Sequence, residues 1–177
     1  VQDLVFIQIA PPSREDVDSY QAIRAELEQK CGRINGARSE VDMVPIRYVN
    51  RGYTHAQLYG FFRAAKLGLV TPLRDGMNLV AKEYVAAQDP DDPGVLILSQ
   101  FAGAAEQMAA ALIVNPYDIG EMAEALRTAL AMPLEERRER HAVLLKGVMK
   151  ESVGHWTDTY LATMARLSAT QTEPESA

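Results

Sequence analysis

Residues 67–88 read LGLVTPLRDGMNLVAKEYVAAQ, a short apolar run followed by a turn and a helix-forming stretch. The run at 67–70 has the continuous Leu/Val composition of a strand that is covered on both faces. Asn78 can cap a helix over 78–88, which Asp89-Pro90 then ends. A strand, a turn and a helix in this order indicate an α/β domain with a parallel sheet.

The same alternation runs through most of the chain. Strands are predicted at 1–9, 43–49, 67–70, 95–98 and 112–114. Helices are predicted at 16–30 with Gly32 as its stop, from Thr54 to 65, at 78–88, from Asp118 to 130, at 134–150 and at 155–167. This pattern predicts the α/β class with a doubly wound parallel sheet, covered by helices on both faces. Ligands of such sheets bind at the carboxyl ends of the strands.

The length, composition and charge of the chain argue against some classes of function. The chain has 177 residues, enough for one domain, which we expect over 1–167, with a disordered tail at 168–177. A net charge of −6 argues against general nucleic-acid or anionic-membrane binding. No apolar run approaches the ~20 residues of a membrane helix. The single cysteine, Cys31, forms no internal disulfide and fits a cytoplasmic location.

The turn between the predicted strand at 67–70 and its helix lies at the carboxyl end of that strand, where such sheets bind ligands. Gly76 allows a positive φ or a close backbone approach, and helix amides after Asn78 can bind a diphosphate. Asp75 and Glu83 can face the same cleft and accept hydrogen bonds from sugar hydroxyls. The alternative is a plain Asp75-Gly76 turn with Glu83 on a solvated helix face.

The segment LRDGMNLVAKEYVAAQ resembles the trehalose-6-phosphate synthases, which are retaining glycosyltransferases with two Rossmann-like domains facing a cleft. Four further segments resemble the family in family order: PSR at 12–14, GRING at 32–36, LSQFAGAA at 98–105 and ALIVNPYD at 111–118. The resemblance runs to about residue 167. It implies the C-terminal, nucleotide-sugar half of a GT-B glycosyltransferase, with the N-terminal part absent.

The family implies a reaction and roles for individual residues. Glucose moves from UDP-glucose to glucose 6-phosphate with retention, giving trehalose 6-phosphate and UDP. Asp75 matches the catalytic aspartate that contacts the transferred glucose, and Glu83 matches the glutamate that binds the ribose. Arg14 matches the arginine that binds the acceptor phosphate, and Tyr53 stands where the family often has Phe beside the uracil. The turn whose amides contact glucose and diphosphate comprises Gly76, Met77, Asn78, Leu79 and Val80.

Some of these residues also have an ordinary structural or surface interpretation. Arg14 can be a surface arginine at a helix start, and Tyr53 can be a core or rim aromatic. His55, His141 and His155 are interpreted as structural or surface residues. The charged run at 135–140 is predicted to be a solvated helix face with i,i+4 pairs. No metal site and no cofactor is predicted, since UDP-glucose is a substrate.

The resemblance also implies parts that this sequence lacks. The family's Arg-Leu-Asp-Tyr-Ser-Lys-Gly segment, which clamps the donor diphosphate, and the N-terminal domain would precede Val1. We therefore expect the chain alone to be inactive, and its uncovered apolar sheet surface to favour a homo-oligomer. The alternatives are a related transferase with another donor or acceptor, such as glucosylglycerol-phosphate synthase, and a non-catalytic regulatory domain. Intact Asp75, Asn78 and Glu83 argue against the regulatory domain.

Overall fold

The structure is a computed structural model that describes residues 4–12, 18–150 and 153–170, and it divides into two compact units, Val1–His55 and Ala56–Ala177. The strands are β1 (Phe6–Ile9), β2 (Ile46–Val49), β3 (Leu67–Val70), β4 (Val95–Ser99) and β5 (Leu112–Val114). The helices are α1 (Asp18–Arg38), α2 (His55–Ala64), α3 (Leu79–Ala87), α4 (Ile119–Ala131), α5 (Leu134–Lys150) and α6 (Val153–Thr170). Every predicted strand and helix is present, which confirms the α/β class.

The first unit is a strand-helix-strand crossover. β1 and β2 pair in parallel, with Phe6 opposite Ile46 and Ile9 opposite Val49. The Asn35 side chain of α1 binds both backbone groups of Ile46, donating to its oxygen at 2.8 Å and accepting from its nitrogen at 3.0 Å. This pair of hydrogen bonds fixes the end of the helix against the start of the second strand.

The second unit is built on a parallel sheet with the strand order β3-β4-β5. Every residue of the central strand β4 is buried, and its side chains alternate between two faces of the sheet. Leu96 and Leu98 pack with residues of α3 and α5, whereas Val95 and Ile97 pack with residues of α4. Helices therefore cover both faces of this sheet, as the doubly wound prediction requires.

Two glycines make room for a buried tyrosine on one of these faces. The Tyr84 hydroxyl donates to Ala65 O at 3.1 Å. A Cβ on Gly68 would lie 2.9 Å from the Tyr84 ring, and one on Gly94 would lie 2.6 Å from Ala65 O and closer still to the Tyr84 hydroxyl. Tyr84 thereby joins α3 to the residues that precede β3.

The strands predicted from 1 and from 43 begin later, at Phe6 and Ile46, and two predicted helix ends fall short. Gly32 does not end α1, which continues to Arg38. A glycine inside a helix costs only about 1 kcal/mol relative to alanine, and the Asn35 contacts with β2 stabilise the extra turns. α6 extends to Thr170, past the start of the predicted tail at 168. Residues 171–177 lie outside the described residues.

Within the described ranges, no helix is both long enough and apolar enough to cross a lipid bilayer.

Candidate functional site

Asp75 lies in the turn between β3 and α3, where the sequence places a ligand. Its Oδ1 accepts a hydrogen bond from Met77 N at 3.1 Å, and its Oδ2 accepts one from Asn78 Nδ2 at 3.0 Å. Each carboxylate oxygen retains a free lone pair, because an ionised carboxylate can accept about four hydrogen bonds. The side chain is half-buried. It is therefore held in one orientation and can still accept hydrogen bonds from a hydroxyl-rich ligand.

Asn78 caps α3 as predicted, and its Oδ1 accepts from Ala81 N at 2.9 Å. Its φ is 78°, in the left-handed region, whereas no described glycine has a positive φ. The positive φ that Gly76 allows is therefore not adopted. Asparagine tolerates this region better than most residues, since its short polar side chain can hydrogen-bond locally. The strained position is Asn78 because its side chain must reach both Asp75 and Ala81.

The first turn of α3 leaves amides available to a ligand. Leu79 N and Val80 N have no hydrogen-bond acceptor within the described part of the chain. The side chains of both residues are exposed. A helix start of this kind carries about half a positive charge and binds anions such as phosphates. The turn can thus supply amide donors beside the Asp75 carboxylate.

Glu83 follows one turn later in α3 and is half-buried. None of the described residues forms a hydrogen bond or an ion pair with its carboxylate. The neighbouring Lys82 donates instead to Gln107 Oε1 at 2.8 Å. Glu83 is therefore neither paired with its adjacent lysine nor fully solvated, and its oxygens can accept hydrogen bonds from a ligand.

A pocket of about 300 Å³ adjoins the turn. Asp75 and Gly76 form one wall, and the segment that follows β4 forms another. Glu83 does not line it. The complete lining comprises Arg74, Asp75, Gly76, Gln100, Phe101, Ala102, Gly103 and Glu106. Residues 98–105 carry part of the family resemblance, but no local sequence signal marks them as a wall of the site.

The remaining predicted site residues belong to the first unit. Tyr53 is half-buried, which excludes the core interpretation. Its hydroxyl accepts from Arg51 Nε at 3.1 Å, and the guanidinium carbon lies 4.8 Å from the ring centroid. Arg14 lies outside the described residues.

The histidines are placed as follows. His141 is buried, and its Nε2 lies 3.0 Å from Val85 O, which ties α5 to α3 and confirms a structural role. His55 is exposed at the start of α2. The side chain of His155 is outside the described set.

The ranges that the structure describes contain no group of three or more His, Cys, Asp or Glu residues that could hold a metal ion.

The prediction of a solvated charged face at 135–140 is only partly right. Arg140 and Glu136 form the expected i,i+4 pair at 2.9 Å. Arg137 Nη1, however, donates to Asp92 Oδ1 at 2.7 Å, and Arg138 Nη2 donates to Asp91 O at 2.7 Å. These arginines bind the loop before β4. Local periodicity could not show this, because the loop lies more than 40 residues away in sequence.

Comparison with known proteins relates the chain to one glycosyltransferase family. The sequence profile of glycosyltransferase family 20 matches residues 1–166. The trehalose-6-phosphate synthase of Enterobacter sp. (strain 638) is 52% identical over 168 residues, which are 95% of this chain and 35% of that protein. The chain thus spans about a third of the length of the relatives it matches.

Solved structures of trehalose-phosphate synthases are also similar to this chain. An α,α-trehalose-phosphate synthase (UDP-forming) from Burkholderia xenovorans, in complex with glucose-6-phosphate, is similar with a TM-score of 0.88 and 53% identity, over 91% of this chain and 35% of that chain. A trehalose-6-phosphate synthase structure from Escherichia coli, bound with UDP-2-fluoro glucose, has a TM-score of 0.88 and 53% identity, over 90% of this chain and 35% of that chain.

Proposed function

The chain belongs to glycosyltransferase family 20, and we infer from this membership that it is the donor-binding part of a UDP-forming trehalose-phosphate synthase. The complete enzyme would transfer glucose from UDP-glucose to glucose 6-phosphate, with retention, and release trehalose 6-phosphate and UDP. The observation that carries this proposal is the Asp75–Asn78 turn at the start of α3. The turn and α3 together bring into one short segment a fixed carboxylate, the amides of Leu79 and Val80, and Glu83, which has no hydrogen-bond partner among the described residues.

The donor fits this segment by its chemistry. The Asp75 carboxylate would accept hydrogen bonds from hydroxyls of the transferred glucose. Of the turn amides from Gly76 to Val80, those of Leu79 and Val80 would bind glucose and diphosphate oxygens, whereas Met77 N already donates to Asp75 Oδ1. Glu83 would accept from the two ribose hydroxyls. All of these groups are either rigid backbone or half-buried side chains, so little freedom is lost when they bind.

The reaction follows from where negative charge develops. As the bond between the glucose C1 and the diphosphate oxygen breaks, charge accumulates on the leaving diphosphate. Amides already aimed at that position stabilise it without reorganising. The acceptor hydroxyl would attack C1 from the face that the diphosphate leaves and pass its proton to the leaving phosphate, which retains the configuration. Asp75 would hold the glucose ring in place during this exchange.

The acceptor and the rest of the protein complete the proposal. Arg14 would bind the phosphate of glucose 6-phosphate through its guanidinium group. The chain spans about a third of the length of its relatives, so further acceptor and diphosphate contacts would come from other parts of the full-length protein. We place that protein in the cytoplasm, since Cys31 is free.

Activity of the full-length protein tests this proposal. UDP-glucose with glucose 6-phosphate is expected to yield equimolar UDP and trehalose 6-phosphate. ADP-glucose, or glycerol 3-phosphate as acceptor, is expected to give slower turnover. A preference for either replacement would identify a related transferase. Absence of turnover, with UDP-glucose binding intact, would instead indicate a non-catalytic domain.

Substitutions test the donor residues. Glu83→Ala is expected to weaken UDP and UDP-glucose binding by at least about tenfold, because even one lost hydrogen bond to a charged group contributes roughly 1.5–3 kcal/mol. Asp75→Asn is expected to lower kcat by about a hundredfold with little effect on UDP binding. Glu139→Ala, on the exposed face of α5, is the matched control and should change neither. Equal effects of Glu83→Ala and Glu139→Ala would contradict the assignment.

A further inference from the structure

The segment that follows β4 holds the Asp75 turn through backbone hydrogen bonds. Gly103 N donates to Asp75 O at 2.9 Å, and Ala104 N donates to Met77 O at 2.7 Å. In the other direction, Asp75 N donates to Phe101 O at 3.1 Å. Both backbone polar groups of Asp75 are therefore bound to this segment, which sets the position of the Asp75 backbone from outside its own turn.

Gly103 makes this close approach possible. A Cβ at position 103 would lie 2.8 Å from the carbonyl carbon of Gly76 and closer still to Gly76 O. Both are backbone atoms, so they cannot rotate away as the end of a long side chain would. The φ of Gly103 is not positive. The requirement for glycine here is therefore one of space, and any side chain would push the turn and the segment apart.

We propose that Gly103 is a positioning residue for Asp75, and that through Asp75 it determines how tightly the protein binds the sugar of a nucleotide sugar. The proposal rests on the proposed function. The Asp75 carboxylate is fixed to Met77 N and Asn78 Nδ2, so a displacement of the turn backbone is passed on to the carboxylate. Asp75 and Gly103 also line the same pocket, and a displaced turn would change its width directly.

The test is Gly103→Ala in the full-length protein, with affinities for UDP-glucose and for UDP measured by calorimetry. UDP lacks the sugar that Asp75 would contact. We expect affinity for UDP-glucose to fall about tenfold, as for the loss of one hydrogen bond to a charged group, while affinity for UDP changes less than about twofold. An unchanged ratio of the two affinities would overturn the positioning role.

Gly94→Ala is the matched control. A Cβ there would also meet backbone, at 2.6 Å from Ala65 O. Gly94 precedes β4, whereas Gly103 follows it, so the control lies at the opposite end of the strand. We expect Gly94→Ala to lower stability as Gly103→Ala does, yet to leave the affinity ratio unchanged. A similar ratio change in both variants would mean that the effect is one of general stability, and would overturn the proposal.

A double-mutant cycle tests whether Gly103 acts through Asp75. In an Asp75→Ala background, Gly103→Ala is expected to cause no further loss of UDP-glucose affinity. A second full tenfold loss would show that Gly103 acts elsewhere, against the proposal.

If Gly103→Ala does not fold, amide hydrogen exchange in the wild-type protein tests the positioning role instead. The amides of Gly103 and Ala104 should exchange more slowly with UDP-glucose than with UDP. Only the sugar would contact Asp75 and so stabilise the turn to which these two amides are hydrogen-bonded. Equal protection by both ligands would overturn the positioning role alone. A wild-type protein that binds neither ligand would overturn the proposed function and, with it, this inference.

Discussion

Asn78 joins the Asp75 carboxylate to the start of α3. Its Nδ2 donates to Asp75 Oδ2 at 3.0 Å, and its Oδ1 accepts from Ala81 N at 2.9 Å. One side chain therefore caps the helix and orients the carboxylate. This double role needs an amide, because a hydroxyl at the same place is shorter and an aspartate would repel Asp75. It also explains why a non-glycine residue adopts a φ of 78° here.

Replacing Asn78 separates the cap from the backbone conformation. Asn78→Ala loses the cap, worth about 1 kcal/mol, and forces alanine into the left-handed region at a cost of roughly 1–2 kcal/mol. Asn78→Gly loses the side chain but adopts the positive φ freely. We expect the free energy of unfolding, from urea titration followed by circular dichroism, to decrease in the order wild type, Asn78→Gly, Asn78→Ala. Equal destabilisation by the two variants would show that the φ carries no strain.

Local sequence signals predicted much of the fold. The cap residues Asn78 and Asp118 are confirmed, since each accepts a hydrogen bond from an amide three residues later. The apolar runs predicted the strand positions, because strand-forming segments rich in Val, Ile and Leu can be recognised without knowing their partners. The turn that contains Asp75 lies between β3 and α3, as the strand-turn-helix pattern at 67–88 predicts.

Contacts distant in sequence could not be predicted in this way. The binding of the Asp75 turn by Phe101 and Gly103 joins residues more than 25 positions apart. The same holds for Arg137 of α5, whose partner Asp92 lies in the loop before β4. Neither pairing leaves a periodic or compositional trace, because each depends on how segments distant in the sequence meet in the folded chain.

Arg137 is expected to stabilise the second unit measurably. Its side chain is only 17% exposed, and it donates to Asp92 Oδ1 at 2.7 Å and also to Pro93 O. Truncation would leave a largely buried carbonyl without its donor. We expect Arg137→Ala to lower the free energy of unfolding by about 1–3 kcal/mol, measured by urea titration.

Arg127→Ala is the control for this prediction. Arg127 pairs with Glu124 on the surface of α4, and its side chain is 69% exposed. Such pairs contribute at most about 1 kcal/mol. Equal losses from the two substitutions would mean that the contacts of Arg137 with the loop before β4 contribute nothing beyond an ordinary surface pair.

Exposed apolar side chains on α6 lead us to expect that the isolated chain self-associates. The rings of Trp156 and Tyr160 stack with centroids 5.3 Å apart. Trp156, Tyr160, Leu161, Met164 and Leu167 are 61%, 51%, 59%, 49% and 54% exposed. Contiguous apolar surface of this kind favours association in water. Multi-angle light scattering should therefore give a mass above that of the monomer, rising with concentration.

A charge placed on this face tests the expectation. Trp156→Glu is expected to reduce the apparent mass, because a carboxylate is costly to bury. Ala162→Glu adds the same charge on the other side of the helix, about 200° from Tyr160 at 100° per residue, and should leave the mass unchanged. A monomeric wild-type chain at every concentration would rule out self-association.

The buried Tyr84 hydroxyl should make stability fall at alkaline pH. Burial raises the pKa of Tyr84 above its ordinary value of 10.0, and the nearby Arg137 only partly offsets this. Between these pKa values the unfolded chain loses the proton and the folded chain keeps it. The free energy of unfolding therefore decreases as pH rises above about 10, by at most ~1.4 kcal/mol per pH unit from this group.

Tyr84→Phe should show a shallower decrease from about pH 8 to about pH 11, whereas Tyr117→Phe, at an exposed position, should keep the wild-type slope. An unchanged slope in Tyr84→Phe would mean that the phenol ionises in the folded chain as readily as in the unfolded one.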